Sequence, residues 1–437
     1  MDGRDVRLPP SIPTWVAQLE LGGSSRLEGI VDGQPRSHHR QARVLVRLHN
    51  SPIAFVTVPI GDHSSLADDV RCIAYSQHGP AIRSHIEADG IAAAAELPRS
   101  LPDQREVTCR ERFDGATAPG ISVVVCTRDR PEQLRQCLPR LAKLHYCNFE
   151  VVVVDNAPRN AGTRAVFAEL VGDDDRFRYV VEPLPGLSRA RNRGLADARH
   201  DLVAFTDDDA LVDPGWLSAI ATGFLRDAEV GCVTGLIAPA ELENAAQQYF
   251  DRHAGWPSEL AFRLFDLGDY SQPAPSYPFS AGVFGAGANF AVDRMFVLRL
   301  GGFDALLGAG TSAGGGEDLD LFVRVLFGGR RIAYAPSALV WHVHRATDAE
   351  LSHQLRSWGS GLAAYITKQL IEPATRTELL RRVPGTFLQI AHAWWRAAAS
   401  GEITTGGAPL SAAETRGFAI GIFMYARSRR RRTRTSE

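Results

Sequence analysis

The sequence lacks the features that mark membrane-spanning, secreted and nucleic-acid-binding proteins. No segment of the 437 residues reaches the roughly 18 consecutive apolar residues that a spanning helix needs. The N-terminus MDGRDVRLPP has no apolar signal-peptide core, and the six cysteines form no CxxC pair. The net charge of −2 gives no reason to expect a nucleic acid partner. We therefore expect a cytoplasmic protein with reduced thiols.

Positive charge is concentrated at the C-terminus, where RSRRRRTRTSE (427–437) contains six arginines. Such a run is commonly a disordered tail, and attraction to anionic lipid headgroups is the alternative interpretation. The preceding GFAIGIFMYA (417–426) is too short to cross a bilayer but suited to lying on one. Trp394-Trp395 is a further candidate for a membrane interface. The alternative to a purely cytoplasmic protein is thus peripheral contact with the inner face of the cell membrane.

Composition and hydrophobic pattern divide the chain into four parts. They are a small α+β domain of unknown role with its linker (1–118), a candidate catalytic domain (119–346), a helical region (347–426) and the arginine-rich tail (427–437). In the first part, ARVLVRLHNSPIAFVTVPI (42–60) predicts two strands around a turn. We interpret His38-His39 as a surface loop, not a metal site. This domain's role, in acceptor choice or oligomerisation, and the oligomeric state stay open.

From Ile121 the pattern alternates between buried strands and helices. ISVVVCT (121–127), FEVVVVDNA (149–157) and DLVAFTDDD (201–209) are continuous apolar strands that end in polar residues. Helical patterns that begin with PEQLRQCL and SRARNRGL lie between them. This alternation is typical of a doubly wound, mostly parallel α/β sheet, and such sheets bind ligands at the carboxyl ends of their strands.

Acidic side chains collect at that predicted edge. Asp129, Asp155 and the run Asp207-Asp208-Asp209 each follow or end a strand. The same tripeptide, Asp173-Asp174-Asp175, stands in GDDDRFRY between a helical pattern and a strand, where it predicts a solvated turn. Convergence of strand ends, rather than the triplet itself, therefore indicates a site. Clustered carboxylates favour Mg²⁺ or Mn²⁺, which also bind the oxygens of a diphosphate.

The second half of the chain adds candidate catalytic groups. Glu317 and Asp318 follow three glycines at a predicted helix start, where a carboxylate is stabilised in its charged form. A carboxylate there could also take a proton from an acceptor hydroxyl, although a plain capped helix is the commoner explanation. The strand that ends in WHVHR places His342 and His344 on one face. Either histidine could complete a metal site that the acids begin.

Seven segments, taken in order, resemble the inverting family 2 glycosyltransferases of GT-A fold. They are ISVVVCTRDRPEQL, VVVVDNAP, GLSRARNRGL, VAFTDDDALVDPGWL, GANFAVDR, GGFDALLGAGTSAGGGEDLDL and YAPSALVWHVHR. The resemblance covers about residues 120 to 345. It implies transfer of a sugar from a nucleoside diphosphate donor, usually linked to UDP, with inversion at the anomeric carbon. The acceptor would be a saccharide, a lipid-linked saccharide or a small molecule.

The resemblance also implies a set of donor-binding residues. They are Thr127, Arg128, Asp129, Asp155, Arg191, Asp207, Asp208 and Asn289. Within this set Asp155 would contact the base, usually uracil, Arg191 would lie near the diphosphate, and Asp208 would lie next to the ribose and sugar. The family commonly has Pro-Thr-Tyr where Cys126-Thr127-Arg128 stands here, which leaves the role of Arg128 open.

For the metal and the chemistry, the resemblance implies a second set of roles. Asp207 and Asp209 match the ends of a DxD motif and, with His342, would bind Mn²⁺ or Mg²⁺, His344 being the reserve ligand. Asp318 would be the general base. Glu317 would orient the sugar or acceptor beside it. No QxxRW motif of processive synthases is present, so addition of a single sugar is favoured.

Two other functions compete with this prediction. A non-catalytic nucleotide-sugar or carbohydrate-binding protein could use the same scaffold. A nucleotidyltransferase would be expected to have a glycine- and lysine-rich loop after its first strand, and TRDRPEQL has neither residue. The segment 241–285 contains Tyr249, Phe250, Trp256 and Tyr277, which either border the acceptor or pack under a long loop.

Overall fold

The computed structural model describes two sheets and a C-terminal helical region. The structure describes residues 10–22, 26–61, 65–89, 118–268, 276–280, 282–382 and 412–435. Most of the predicted linker, the Trp394-Trp395 pair and the last two residues of the arginine run lie outside these ranges.

The N-terminal domain is a four-stranded sheet with one helix. Its elements are β1 (Thr14–Glu20), β2 (Leu27–Gly29), β3 (Gln41–Leu48), β4 (Ser51–Pro59) and α1 (Leu66–Ala88). The strand order is β2-β1-β3-β4, with β1 and β3 parallel and the other pairs antiparallel. The predicted hairpin over 42–60 is confirmed as β3 and β4, and alternating residues of both strands pack under α1.

The larger sheet forms the scaffold of the predicted catalytic domain. Its elements are β5 (Ile121–Thr127), α2 (Pro131–Ala142), β6 (Phe149–Asn156), α3 (Gly162–Val171), β7 (Phe177–Glu182), α4 (Leu187–Asp197), β8 (Leu202–Asp207), β9 (Ala210–Val212), α5 (Trp216–Leu225), β10 (Val230–Pro239), α6 (Ala245–His253), β11 (Arg263–Phe265), β12 (Asn289–Asp293), α7 (Arg294–Arg299), α8 (Glu317–Phe327) and β13 (Arg331–His342). Helices cover both faces, which is why β5 and β6 are apolar along their length.

The strand order of this sheet is β11-β13-β10-β12-β8-β5-β6-β7, with β9 paired to β13. The run β8-β5-β6-β7 is parallel, and β10 is parallel to β13, whereas β12 is antiparallel to both of its neighbours. The sheet is therefore mixed and mostly parallel, as the sequence predicted. The carboxyl ends of β8, β5 and β6 lie side by side.

The helical region closes over one end of this domain. It contains α9 (Asp348–Ile371), α10 (residues 373–382) and α11 (Ala412–Thr435). Thr347 and Glu350 form a capping box that starts α9. Because α11 continues to Thr435, the boundary predicted at residue 427 falls inside a helix and the arginine run is no separate tail. Within the described ranges, no helix is long and apolar enough to cross a membrane.

The N-terminal domain is docked on the larger sheet. Val16, Ile30 and Leu45 share an apolar cluster with Leu236 and Trp341 of the catalytic domain. At the same interface the Arg47 guanidinium donates to the Asp213 carboxylate, with both side chains buried and Nη1 to Oδ2 at 2.5 Å. The two domains therefore fold against each other through an apolar contact and a buried ion pair.

We expect Arg47→Met to destabilise the chain because it leaves the Asp213 carboxylate buried without its cation. Loss of one partner of a buried pair costs about 3–5 kcal/mol. Chemical denaturation, compared with the exposed control Arg135→Met, measures the loss. The double variant Arg47→Met/Asp213→Leu should recover most of it, and a double variant no more stable than the single one would contradict this account.

Candidate active site

Neighbouring strand ends bring the predicted acids to one edge of the sheet. In the register of the parallel strands, Cys126 pairs with Asp207 and Thr127 pairs with Asp155. The control triplet has no such placement: Asp173 and Asp175 are exposed in the turn after α3, and Asp174 pairs with Arg176. The predicted distinction between the two triplets is confirmed.

Asp208 is held by two side chains from the loop that follows β5. The Thr127 hydroxyl donates to Asp208 Oδ2 at 2.7 Å, and the Arg130 guanidinium donates to Oδ1. Burial raises the pKa of Asp208 to about 7. Its oxygens therefore fix the loop rather than face open solvent.

Asp209 is surrounded by three nitrogen-bearing side chains. Arg130 Nη2 lies 2.8 Å and Arg345 Nη2 3.1 Å from Asp209 Oδ2, while His342 Nε2 lies 3.4 Å from Oδ1. Burial alone would raise the pKa of Asp209, but the contacts with His342, Arg130 and Arg345 lower it to about 2. This carboxylate is ionised at neutral pH.

Asp207 completes a group of potential metal ligands. Ligand atoms of Asp207, Asp209 and His342 all lie within 4.8 Å of one another. Burial raises the pKa of Asp207 to about 6, and it lowers the pKa of His342 to about 4. The imidazole is therefore neutral at pH 7, which is the form that binds metal ions. Two carboxylates and one imidazole are a donor set that Mn²⁺ or Mg²⁺ accepts.

His344 stands behind His342 and outside this group. The two Nδ1 atoms are 3.1 Å apart, and His344 Nε2 lies 3.9 Å from Asp251 Oδ1. Asp251 in turn accepts a hydrogen bond from Arg43 of β3. Of the two histidines that the sequence left open, the structure places His342 beside the acids, with His344 between it and the N-terminal domain.

Arg191 joins the strand-end acids to the second half of the chain. Its buried guanidinium donates to Glu317 Oε1 and to the Gly287 carbonyl, both at 2.9 Å, and lies 3.4 Å from Asp207 Oδ1. Burial raises the pKa of Glu317 to about 7. The carboxylates of Asp207 and Glu317 therefore share one cation.

Asp318 is at the second position of α8 and borders open space. Its Oδ2 accepts the Gly287 N–H at 2.7 Å, and its Oδ1 accepts the Leu319 N–H at 2.9 Å. The preceding Gly316 has a φ of 85°, and a Cβ there would meet the Gly361 carbonyl of α9 at 2.6 Å. The loop before Asp318 therefore needs glycine both for its backbone conformation and for contact with α9.

Two adjoining cavities receive these side chains. The smaller, of about 370 Å³, lies against the loop after β5 and is bordered by Thr127, Arg128 and Asn156. The larger, of about 1130 Å³, is bordered by Asp318 and Trp256, by Trp358 of α9 and by Glu414 of α11. Asp207, His342 and Arg345 line both, so the candidate metal ligands lie where the two cavities meet.

Three predicted donor-binding residues are not in the cavity walls. The buried amide of Asn289 accepts from Trp216 and donates to the Leu236 and Ala338 carbonyls, so its polar atoms have protein partners. Asp129 binds Arg159 rather than lining the pocket. Asp155 is fully buried and accepts from the Tyr179 hydroxyl.

Two cations of the candidate site, Arg130 and Arg345, were not predicted from the sequence. The roles of the aromatic residues Phe250 and Trp256 were left open. Arg130 and Arg345 each lie next to a motif named above. Three adjacent acids need nearby cations to neutralise them, and this need was the signal that could have pointed to the two arginines. In the segment 241–285, Trp256 borders the larger cavity, whereas Phe250 is buried against His344 with ring centroids 4.7 Å apart. Phe250 therefore packs under the segment, whereas Trp256 stays a candidate to border the acceptor.

Residues 122–284 match the family model described as glycosyl transferase family 2. The pre-mycofactocin glycosyltransferase of Mycobacterium tuberculosis is 29% identical over 62% of this chain and 51% of its own length. The probable glycosyltransferase YdaM of Bacillus subtilis is 25% identical over 58% of each chain. This chain thus spans about half the length of the curated relatives it matches.

A solved structure of a mannosyltransferase from Pyrobaculum calidifontis, in complex with GDP-Man and Mn²⁺, is 19% identical to this chain. It covers 70% of this chain and 86% of its own, with a TM-score of 0.46. The match to the family model and the mixed, mostly parallel sheet agree with the fold predicted from the sequence. Residues 122–284 are therefore similar to glycosyl transferase family 2, and the mixed, mostly parallel α/β sheet is consistent with the predicted GT-A fold.

Proposed function

We propose that the chain is an inverting glycosyltransferase that moves a sugar from a nucleoside diphosphate, UDP by the family resemblance, to an acceptor hydroxyl. One observation carries the proposal: Arg191 contacts Asp207 on one side and Glu317 on the other, next to Asp318. The candidate metal ligands and the candidate base therefore border one continuous space, as transfer between two substrates requires.

Asp207, Asp209 and His342 would hold a divalent ion, because their donor atoms suit Mn²⁺ or Mg²⁺ and lie close together. Such an ion neutralises the charge that develops on a departing diphosphate. Arg130 and Arg345 add positive charge at the same place, which favours binding of the anionic donor. The smaller cavity, with Thr127 and Arg128 in its wall, is our candidate for the nucleotide pocket.

Asp155 supports the base contact that the family resemblance implies, although its side chain lines neither cavity. Its Oδ1 is buried and has no hydrogen-bond partner among the described residues. A buried acceptor without a donor is costly, and a nucleobase N–H would satisfy it. We propose that donor binding brings a base N–H to this oxygen, with Asn156 forming the cavity wall beside it.

Asp318 would act as the general base. The acceptor oxygen attacks the anomeric carbon, the bond from that carbon to the diphosphate breaks, and Asp318 takes the hydroxyl proton. The Gly287 N–H holds the Asp318 carboxylate in place, and Glu317 is anchored by Arg191 next to it. Trp256 and Trp358 line the larger cavity, where indole faces suit a sugar ring of the acceptor.

We expect Asp318→Asn to reduce transfer at least about 100-fold, because the amide cannot accept the acceptor proton. Donor binding should persist, since Asn keeps the shape of the side chain. Product formation and UDP release measure the first quantity, and calorimetry with UDP measures the second. The exposed Asp173→Asn is the control, and turnover of Asp318→Asn close to that of the parent would exclude Asp318 as the base.

Metal binding is tested separately from turnover. We expect Asp209→Ala and His342→Ala each to weaken Mn²⁺-dependent UDP binding at least about 10-fold, because each removes a ligand atom. Asp175→Ala, from the exposed triplet, is the matched control. Calorimetry with UDP at fixed Mn²⁺ concentrations gives the affinities, and identical Mn²⁺ dependence in all variants would contradict the assignment.

The competing functions give different results in the same assays. A non-catalytic binding protein would bind a nucleotide sugar without releasing UDP in the presence of any acceptor. For a nucleotidyltransferase, no glycine- or lysine-rich loop follows β5, since only residues 128–130 separate it from α2. Thermal shifts with a panel of nucleotide sugars, with and without Mn²⁺, would identify the donor.

We also propose peripheral contact with an anionic membrane through α11. One stripe of this helix contains Arg416, Ile420, Phe423, Arg427 and Arg430, spaced by four and three residues. Ile420 is 51% and Phe423 66% exposed. Apolar side chains flanked by arginines suit the boundary between lipid headgroups and acyl chains.

The opposite side of α11 reaches the candidate acceptor cavity. Glu414 lines that cavity and pairs with His253 Nε2 at 3.0 Å. A membrane on the outer stripe would therefore lie next to the acceptor cavity. Among the three classes of acceptor left open, this favours a lipid-linked saccharide.

We expect the chain to sediment with vesicles that contain phosphatidylserine and not with phosphatidylcholine vesicles. Ile420→Asp/Phe423→Asp should abolish the sedimentation, because it places charge in the apolar centre of the stripe. Leu225→Asp, at a site that is 62% exposed on another helix, is the matched control. Equal sedimentation of the double variant and the parent would refute this surface.

A further inference from the structure

The N-terminal domain contains a second group of convergent histidine and carboxylate atoms. It is formed by His49, at the turn between β3 and β4, and by His85 and Asp89 at the end of α1. The side chains of His49 and Asp89 are fully buried, and that of His85 is 16% exposed. These residues line neither cavity of the candidate active site.

Three atoms of this group face a common point. Asp89 Oδ2 lies 2.7 Å from His49 Nδ1 and 3.5 Å from His85 Nε2, and the two imidazole nitrogens are 3.2 Å apart. An ion at about 2.0–2.1 Å from each atom, the usual zinc distance to nitrogen and oxygen ligands, fits just off the plane of this triangle.

A single shared proton joins only two of these three atoms. His49 Nδ1 can donate a proton to Asp89 or accept one from His85, but it cannot do both. If it accepts from His85, its lone pair faces an anionic oxygen at 2.7 Å. A divalent cation accepts electron pairs from all three atoms at once, which one shared proton cannot do.

A second cluster of two histidines and a carboxylate shows what an arrangement held by hydrogen bonds alone looks like. His39 Nδ1 accepts the Arg36 N–H at 2.8 Å, so Nε2 carries the proton that is donated to Glu243 Oε1 at 2.7 Å. His38 Nε2 lies 2.8 Å from the other oxygen, Oε2. Each carboxylate oxygen has its own partner, so hydrogen bonds alone account for the contacts of this cluster, and the His39 side chain is fully buried rather than at the surface as predicted.

We propose that His49, His85 and Asp89 form a structural site for a divalent transition metal ion, Zn²⁺ being the best match to two imidazoles and one carboxylate. Burial lowers the pKa of His85, which keeps its imidazole in the ligating, neutral form. The partly exposed side next to His85 leaves room for a water as fourth ligand.

The site would tie together two parts of a small domain. His49 adopts a left-handed backbone with φ of 54° in the β3–β4 turn, and Asp89 caps the end of α1. An ion bound to both joins the hairpin to the helix that covers its sheet. Because metal binding requires the folded arrangement, its free energy adds to the stability of the domain.

The test uses untagged full-length chain carrying His342→Ala, which removes the candidate donor-site ligand. After treatment with a chelator, we expect calorimetry to show one Zn²⁺ bound per chain, with a rise in the unfolding temperature. His85→Ala should weaken this binding at least about 100-fold, and His78→Ala on the same helix should not. Absence of Zn²⁺ binding, or binding unchanged by His85→Ala, would overturn the proposal.

A spectroscopic measurement covers the case in which His85→Ala fails to fold. Co²⁺ added to the His342→Ala chain should give visible absorption bands of a four-coordinate site, and one equivalent of Zn²⁺ should remove them. Asp89→Asn, which keeps the side-chain shape, should lose the bands. If Co²⁺ produces no such bands in the His342→Ala chain, the three residues do not form a metal site.

Discussion

Three adjacent carboxylates at the end of a strand repel one another, and cations must stand beside them to offset that repulsion. In this chain Asp207 pairs with Arg191 and Asp208 pairs with Arg130. Asp209 pairs with both Arg130 and Arg345. These arginines come from α4, from the loop after β5 and from the segment after β13. The neutralisation of one tripeptide thus brings together parts of the chain more than 200 residues apart, and the candidate active site lies where they meet.

The N-terminal domain takes part in the same electrostatic arrangement. Arg43 of β3 binds Asp251, which lies behind His344, and His344 contacts His342. Four residues further along β3, Arg47 binds Asp213. Both arginines place positive charge against acids of the candidate catalytic domain. The small domain therefore helps to hold the residues that lie behind the candidate metal ligands.

The strand ends could be predicted from the sequence because continuous apolar runs followed by acids mark where parallel strands meet a ligand edge. The two aspartate triplets show this well, since context alone separated Asp207-Asp208-Asp209 from Asp173-Asp174-Asp175 in its surface turn. Asn289 could not be placed, because a buried amide that binds Trp216 and two carbonyls looks identical in sequence to one that binds a ligand. The roles of Arg130 and Arg345 could not be predicted, because both pair with acids that are distant in the sequence and no local pattern reveals such pairs.

The glycines around Asp318 tie the candidate base to the helical region. Gly316 approaches the Gly361 carbonyl so closely that a Cβ would lie 2.6 Å from it, and on the same helix α9 Lys368 binds both Asp304 and Asp320 at about 3 Å. The loop before the candidate base is therefore held by a helix that lies outside the segment matched by the family model. Because Trp358 of the same helix lines the larger cavity, a shift of α9 would move the wall of the candidate acceptor cavity and the loop before the candidate base together.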